Sequence, residues 1–294
     1  MVQLAVVEAY HAPTSLDECL GLLAGGGDKV VVLAGGQAIL PLLKNRSLRP
    51  DVLVDLSRVA ELHRRELCHD GALTLGAMYR HRNIYKDRQI SLGWSALADA
   101  AAGIGDLQVQ NRGTIGGNLV FGTVQTDMKQ VVMCLDARLL IVGGSEVRQV
   151  AAREVFAGSA SPLLEPGELL NSIVFPAMPQ RTGSAYHKFG ITTNGRPVIG
   201  IAAALTLDRE GVCTAASIVV GGLVPAPCDA QLAAQVLVGQ HIDDDVISHA
   251  VRAAAEEIKP QSDARASAAY RRQLVRAVGR DVLHAAWKRA IEGC

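Results

Sequence analysis

The stretch KVVVLAGGQAILPLLKNRSLRPDVLVDL, residues 29–56, constrains the fold more than any other part of the chain. KVVVLA is a continuous β-branched and apolar run of buried-strand length, and VLVDL is a second. Between them QAILPLLKNR has helical apolar spacing, with Pro41 near enough to its start to be tolerated. Strand, glycine pair, helix and strand make a βαβ unit. Gly35 and Gly36 then fall where a strand ends and a helix begins, a place where unpaired N–H groups and the helix dipole favour an anion.

A second glycine pair follows in QNRGTIGGNL, residues 110–119. Such a pair lets backbone approach a ligand closely and turn its N–H groups on an anion, although a lone pair also serves as a tight turn between packed segments. Neither loop is a Walker loop, since no Gly-Lys-Ser/Thr follows, and neither carries G-x-G-x-x-G. One helix end contributes only about 0.3–1 kcal/mol to holding an anion, so two converging loops suit a diphosphate better than one.

The rest of the chain frames these loops. Its 294 residues are 49% apolar, enough for more than one packed unit, and the formal net charge is zero, which argues against nucleic acid or an anionic membrane as partner. No apolar run has the length of a membrane span and the N-terminal segment does not read as a signal peptide, so a cytoplasmic location is expected. Cys19, Cys68, Cys134, Cys213, Cys228 and Cys294 are scattered singly and suggest reduced thiols, with no metal-ligand cluster. Ser15 and Glu18 form a capping box ahead of a first helix whose apolar face is Leu16, Cys19, Leu20 and Leu23. PVIGIAAALTLDREGVCTAASIVVGG is a hairpin turning at residues 208–211, and two helical segments follow it. Arg271, Arg272, Arg276 and Arg280 form either an interface stripe or a solvated helix face. A boundary is expected near PAMPQRTGS, residues 176–184.

VVLAGGQAILPLLKNRSLRPDVLVDL and QNRGTIGGNLVFGTVQTDM resemble the two FAD-binding segments of the medium, flavin-carrying subunit of molybdenum hydroxylases, the xanthine dehydrogenase and aerobic carbon monoxide dehydrogenase family. AYHKFG, VVGGLVPAPCDA and AYRRQLVRAVGRDVL resemble later segments in the same order, so the likeness covers nearly the whole chain. It implies an α+β fold: an FAD-binding domain over 1–178, made of a small βαβ lobe (1–56) and a larger α/β lobe (57–178), then a C-terminal domain over 179–294 of antiparallel strands and helices. By the same resemblance Leu33, Ala34, Gly35, Gly36, Gln37 and Ala38 form the first loop around the pyrophosphate, and Thr114, Ile115, Gly116, Gly117 and Asn118 the second. Thr123 matches a phosphate contact, within a segment, VFGTVQTD, that departs from the usual small residues and proline. Asp127 matches the acid near the FAD ribose, and its alternative is a helix N-cap ahead of MKQVVMCLDA. Ile104 and Leu170 match positions at the isoalloxazine ring, with core packing the alternative for Ile104. Lys188 matches a cation at the ring's pyrimidine edge, its alternative being a solvated strand lysine; Tyr186 and His187 are nearby.

The function the resemblance implies is an oxidoreductase subunit that carries FAD and transfers electrons, without catalytic residues of its own. A large subunit would hold the molybdenum cofactor, a small subunit two [2Fe–2S] clusters, and the whole would be a dimer of heterotrimers. Carbon monoxide, a purine, an N-heteroaromatic compound or an aldehyde all remain open as substrate, as does the terminal acceptor. Two other classes compete: a self-sufficient FAD-dependent oxidoreductase of the same two-loop fold, and a scaffold subunit without cofactor.

Overall fold

The computed structural model describes residues 7–25, 27–121, 126–144, 146–157, 163–192, 195–223 and 225–293. The N-terminal lobe is a three-stranded parallel sheet of β1 (Ala9–His11), β2 (Val30–Leu33) and β3 (Val52–Asp55) in the order β1-β3-β2. The helix Ile39–Lys44 connects β2 to β3, which is the crossover expected of a βαβ unit. The capping box is present with one change. Ser15 Oγ accepts from the Glu18 N–H at 3.2 Å, but the Glu18 carboxylate reaches back to the Thr14 N–H at 2.8 Å, one residue before the cap.

The second lobe is an antiparallel sheet of β4 (Arg65–Leu67), β5 (Leu73–Gly76), β6 (Arg138–Gly143), β7 (Glu146–Ala151) and β8 (Glu168–Phe175), ordered β4-β5-β8-β6-β7. Short helices between His81 and Cys134 fill the space between β5 and β6 and supply much of the main apolar core, with Leu97, Ile115, Leu119 and Val131 fully or almost fully buried. The third lobe is an antiparallel sheet of β9 (Thr182–Phe189), β10 (Ile199–Leu207), β11 (Cys213–Gly221) and β12 (Cys228–Asp229), ordered β12-β11-β10-β9. Gly211, at φ +87°, turns the β10–β11 hairpin, and the helices Asp244–Glu257 and Ala268–Glu292 pack over the sheet. Among the described residues no helix is long and apolar enough to cross a membrane.

β9 ties the second and third lobes together. The Ala96 N–H donates to Ser184 Oγ at 3.1 Å, while Arg289 grips Asp99 with both terminal nitrogens, at 2.6 and 3.1 Å, and donates to the Ser184 carbonyl at 2.7 Å. Two planar N–H···O contacts hold this pair in a fixed orientation. The arginine stripe of the last helix divides. Arg276 and Arg280 are exposed, but Arg271 is 2% exposed: it donates to the Val198 and Gly222 carbonyls and pairs with Asp263 at 2.7 Å. Neither an interface stripe nor a solvated face describes Arg271, because its position turns inward onto carbonyls that the end of the sheet leaves open.

Candidate functional site

A cleft of about 380 Å³ runs where the three lobes meet. Its apolar walls include Val32, Leu56, Met78, Ile104, Val109, Leu169 and Leu170, and both glycine loops line it. Gly36 has φ +75°, in the left-handed region that favours glycine, and the N–H groups of Gly36, Gln37 and Ala38 have no acceptor among the described residues. Gly35 serves another purpose. A Cβ there would fall on the Arg112 carbonyl oxygen and within 2.9 Å of Gly113 Cα, so the loops lie backbone against backbone.

The second loop holds its shape with its own N–H groups. Those of Ile115 and Gly116 donate to the Tyr79 and Ala77 carbonyls at 3.0 and 2.9 Å, and those of Gly117 and Asn118 to Thr114 Oγ1 and O, each at 3.1 Å. The N–H groups of residues 115–118 are thus spent within the protein and do not converge on an anion, whereas that of Thr114 has no acceptor among the described residues. Gly116 is required instead by packing, since a Cβ would come within 2.7 Å of the Ala77 carbonyl oxygen. Side-chain donors remain for a ligand: the Thr114 hydroxyl hydrogen and the Asn118 NH2 group, both on residues lining the cleft.

Ala34, Gly35, Gly36, Gln37, Ala38, Ile104, Thr114, Gly116, Gly117, Asn118, Asp127, Leu170 and Lys188 all line the cleft. Leu33 and Ile115 do not. Leu33 ends β2, paired with Asp55, and Ile115 is fully buried in the main core, so each supports its loop from behind. Thr123 lies outside the described residues. Ile104 both packs in the core and borders the cleft, so its two readings coexist.

Asp127 precedes the helix Met128–Cys134, yet its side chain makes no capping bond. Asn118 Oδ1 does that instead, accepting from the Met128 N–H at 3.2 Å. Asn118→Ala is therefore expected to lower stability by about 1 kcal/mol, as loss of a helix cap does; an unchanged urea midpoint in the FAD-free protein would refute this role. The Asp127 carboxylate, 5% exposed, accepts from Tyr186 Oη at 2.7 Å and from Lys188 Nζ at 3.1 and 3.2 Å. Burial raises its pKa, and Lys188 and Tyr186 oppose that rise. Burial and the neighbouring carboxylate push the Tyr186 phenol well up, which keeps it a neutral donor. Lys188 Nζ also donates to the Gly195 carbonyl at 3.1 Å, so two of its N–H groups are committed to hydrogen bonds and its charge faces the Asp127 carboxylate. The solvated-lysine alternative does not hold: Lys188 is half of a buried pair. Oδ2 of Asp127 keeps a lone pair for a ligand hydroxyl.

Sequence reasoning missed His81, Gly113, Glu168 and Arg196, which also line the cleft. The alternation of β9 places Tyr186 and Lys188 on one face, a signal that was available. His81 gave none, because it sits among arginines in YRHRN and yet is 2% exposed. Burial pushes its imidazole down to about 3. The unfolded chain therefore binds this proton first, and stability falls as pH drops from about 6.5 towards 3, at up to about 1.4 kcal/mol per pH unit. His81→Gln should flatten this dependence in the FAD-free protein. Urea midpoints at pH 7, 6 and 5 check it, and a constant difference between the two proteins would count against it.

Residues 4–178 match the family described as the FAD binding domain in molybdopterin dehydrogenase, and residues 184–286 match the CO dehydrogenase flavoprotein C-terminal domain. The chain belongs to the FAD-binding medium subunits of the molybdenum hydroxylase family. It is similar to the 6-hydroxypseudooxynicotine dehydrogenase complex subunit alpha of Paenarthrobacter nicotinovorans, with 32% identity over 283 residues covering 96% of this chain and 95% of that protein. It is 31% identical over 281 residues to the carbon monoxide dehydrogenase medium chain of Hydrogenophaga pseudoflava, covering 95% of this chain and 97% of the relative. A solved structure of carbon monoxide dehydrogenase from that organism, one lacking the Mo-pyranopterin moiety of its cofactor, matches with a TM-score of 0.91 and 30% identity over 98% of this chain and 99% of its own.

FAD fits the cleft of this medium subunit. The uncommitted N–H groups of the first loop and the donors of Thr114 and Asn118 suit a diphosphate, the apolar walls suit a ring system, and Asp127 Oδ2 suits a hydroxyl.

Proposed function

We propose that this chain is the electron-transfer subunit of a molybdenum-containing hydroxylase or dehydrogenase. It works beside a large subunit holding the molybdenum cofactor and a small subunit holding two [2Fe–2S] clusters, in the cytoplasm, as a dimer of heterotrimers. Electrons pass from the clusters to FAD in this chain and on to an external acceptor. The observation that carries this reading is the meeting of both glycine loops at Gly35 and Gly113 in the same cleft that Asp127 and Lys188 line. Its support in kind is the relatives' names, which include medium chains of carbon monoxide dehydrogenases and the FAD-binding subunit of a xanthine dehydrogenase.

FAD, when bound, supplies the redox chemistry. The chain's residues bind and orient it. Gly36, Gln37 and Ala38 would hold the diphosphate by backbone N–H groups, Thr114 and Asn118 by side-chain donors, and Asp127 a ribose hydroxyl. Ile104 and Leu170 would wall the ring. Lys188, already paired with Asp127, would act there as part of a neutral dipole and not as a free cation, which limits how far it favours negative charge on the ring. Division into a dinucleotide-binding part, 1–178, and a C-terminal part, 179–294, belongs to the same proposal; the separate apolar cluster beneath β9–β12 supports it.

The test is the visible spectrum of the chain purified alone and with its neighbouring reading frames, followed by release of any flavin. FAD in the supernatant, with molybdenum and iron co-purifying only in the second preparation, is the expected result. A colourless protein in both would refute the proposal.

A further inference from the structure

His81 lines the cleft and has no part in the reading above. It begins the helix His81–Lys86, and its backbone N–H donates to the Gly113 carbonyl at 3.1 Å. Nδ1 is fully buried without a hydrogen-bond partner among the described residues, while Nε2, not closed off in this way, belongs to the edge of the ring nearest Gly113. Cδ2 and Nε2 lie 3.0 and 3.4 Å from the place a Gly113 Cβ would take. Gly113 is also the residue that Gly35 presses against. The Nε2 edge thus stands at the seam of the two glycine loops.

A neutral imidazole carries one proton. On Nδ1 it would be an N–H stranded in a dry interior; on Nε2 it leaves Nδ1 only an unused lone pair, which interiors tolerate better than an orphaned donor. The proton therefore belongs on Nε2, where it makes a donor bordering the cleft. We propose that His81 is a ligand-binding residue whose Nε2–H donates to an anionic oxygen of the FAD diphosphate. This rests on the dinucleotide reading above. It completes a donor set of backbone N–H groups, the Thr114 hydroxyl and the Asn118 amide with one more neutral donor, beside the second loop, whose N–H groups at residues 115–118 are spent.

The experiment is calorimetric titration of FAD-free protein with FAD, ADP and riboflavin, for the unsubstituted chain, His81→Phe and His81→Gln. His81→Phe keeps the ring shape and loses the donor, so FAD and ADP should each bind ~10-fold or more weakly, as for a hydrogen bond to a charged group, while riboflavin is unaffected. His81→Gln, which retains an N–H donor, should recover most of the loss. FAD and ADP affinities in His81→Phe unchanged from those of the unsubstituted chain overturn the assignment, and so does an equal loss for riboflavin, which has no diphosphate. A second readout needs no variant. In the unsubstituted protein the imidazole 15N spectrum should show the Nε2–H tautomer, with that proton shifted by ADP and not by riboflavin; an Nδ1–H tautomer overturns the assignment. Failure of the unsubstituted chain to take up any FAD is a different result, and it removes the dinucleotide reading itself.

Discussion

Gly35→Val is expected to abolish FAD retention, leaving the purified protein with a 450 nm to 280 nm absorbance ratio at background. The added Cβ would fall on the Arg112 carbonyl oxygen, 2.8 Å from the Arg112 carbonyl carbon and 2.9 Å from Gly113 Cα. These are backbone atoms, so no rotamer relieves the overlap and the loops must separate. Separation moves the N–H groups of Gly36 to Ala38 away from Thr114 and Asn118, and donors that no longer converge cannot share one diphosphate. Gly117→Ala gives the graded comparison. Its Cβ meets only Thr114 Oγ1, at 2.9 Å, and then Ala34 Cβ at 3.7 Å, so a reduced but measurable FAD content is expected. A valine at 35 with unchanged FAD content would show that the seam between the loops does not form the binding site.

Asp127→Ala should destabilise the FAD-free protein by roughly 3–5 kcal/mol, since removing one partner of a buried ion pair strands the other charge. Lys188, its side chain 10% exposed, would keep only the Gly195 carbonyl, and the Tyr186 hydroxyl would lose its acceptor. The double variant Asp127→Ala with Lys188→Met should recover most of that loss, because no charge then remains in the dry site. Flavin binding separates the roles: the double variant is expected to fold and still bind FAD more weakly, for want of the Oδ2 acceptor. Thermal and urea unfolding with FAD titration check both halves. If Asp127→Ala costs under about 1 kcal/mol, the pair is solvated and the buried-pair description fails.

Where the sequence was legible, the cause is local. A β-branched run followed by Gly35 and Gly36 and a helical period reads as strand, turn and helix from neighbouring residues alone, and Ser15 caps its helix through a bond spanning three positions. The hairpin around Gly211 follows from the same kind of signal. Thirteen of the sixteen residues named by likeness to a known family line the cleft too. Less legible was the work each residue does. Asp127 had helix capping as its alternative, and only the fold shows Asn118 performing that task. Arg271 looked like its exposed neighbours until the sheet end placed carbonyls beside it.

By itself, then, the sequence determined the first helix, the βαβ unit, the β10–β11 hairpin and the glycine positions, since dihedral preference, capping and hydrophobic period act over a few residues. Tertiary structure alone decided why those glycines are needed and which polar groups are spent. Gly35 answers to Arg112, Asp127 to Lys188 sixty-one positions away, and His81 to Gly113, and each contact exists only once segments distant in sequence have packed. Burial then sets the chemistry, because removing water makes every unpaired charge or N–H costly, and the pattern of what remains unpaired marks where a ligand belongs.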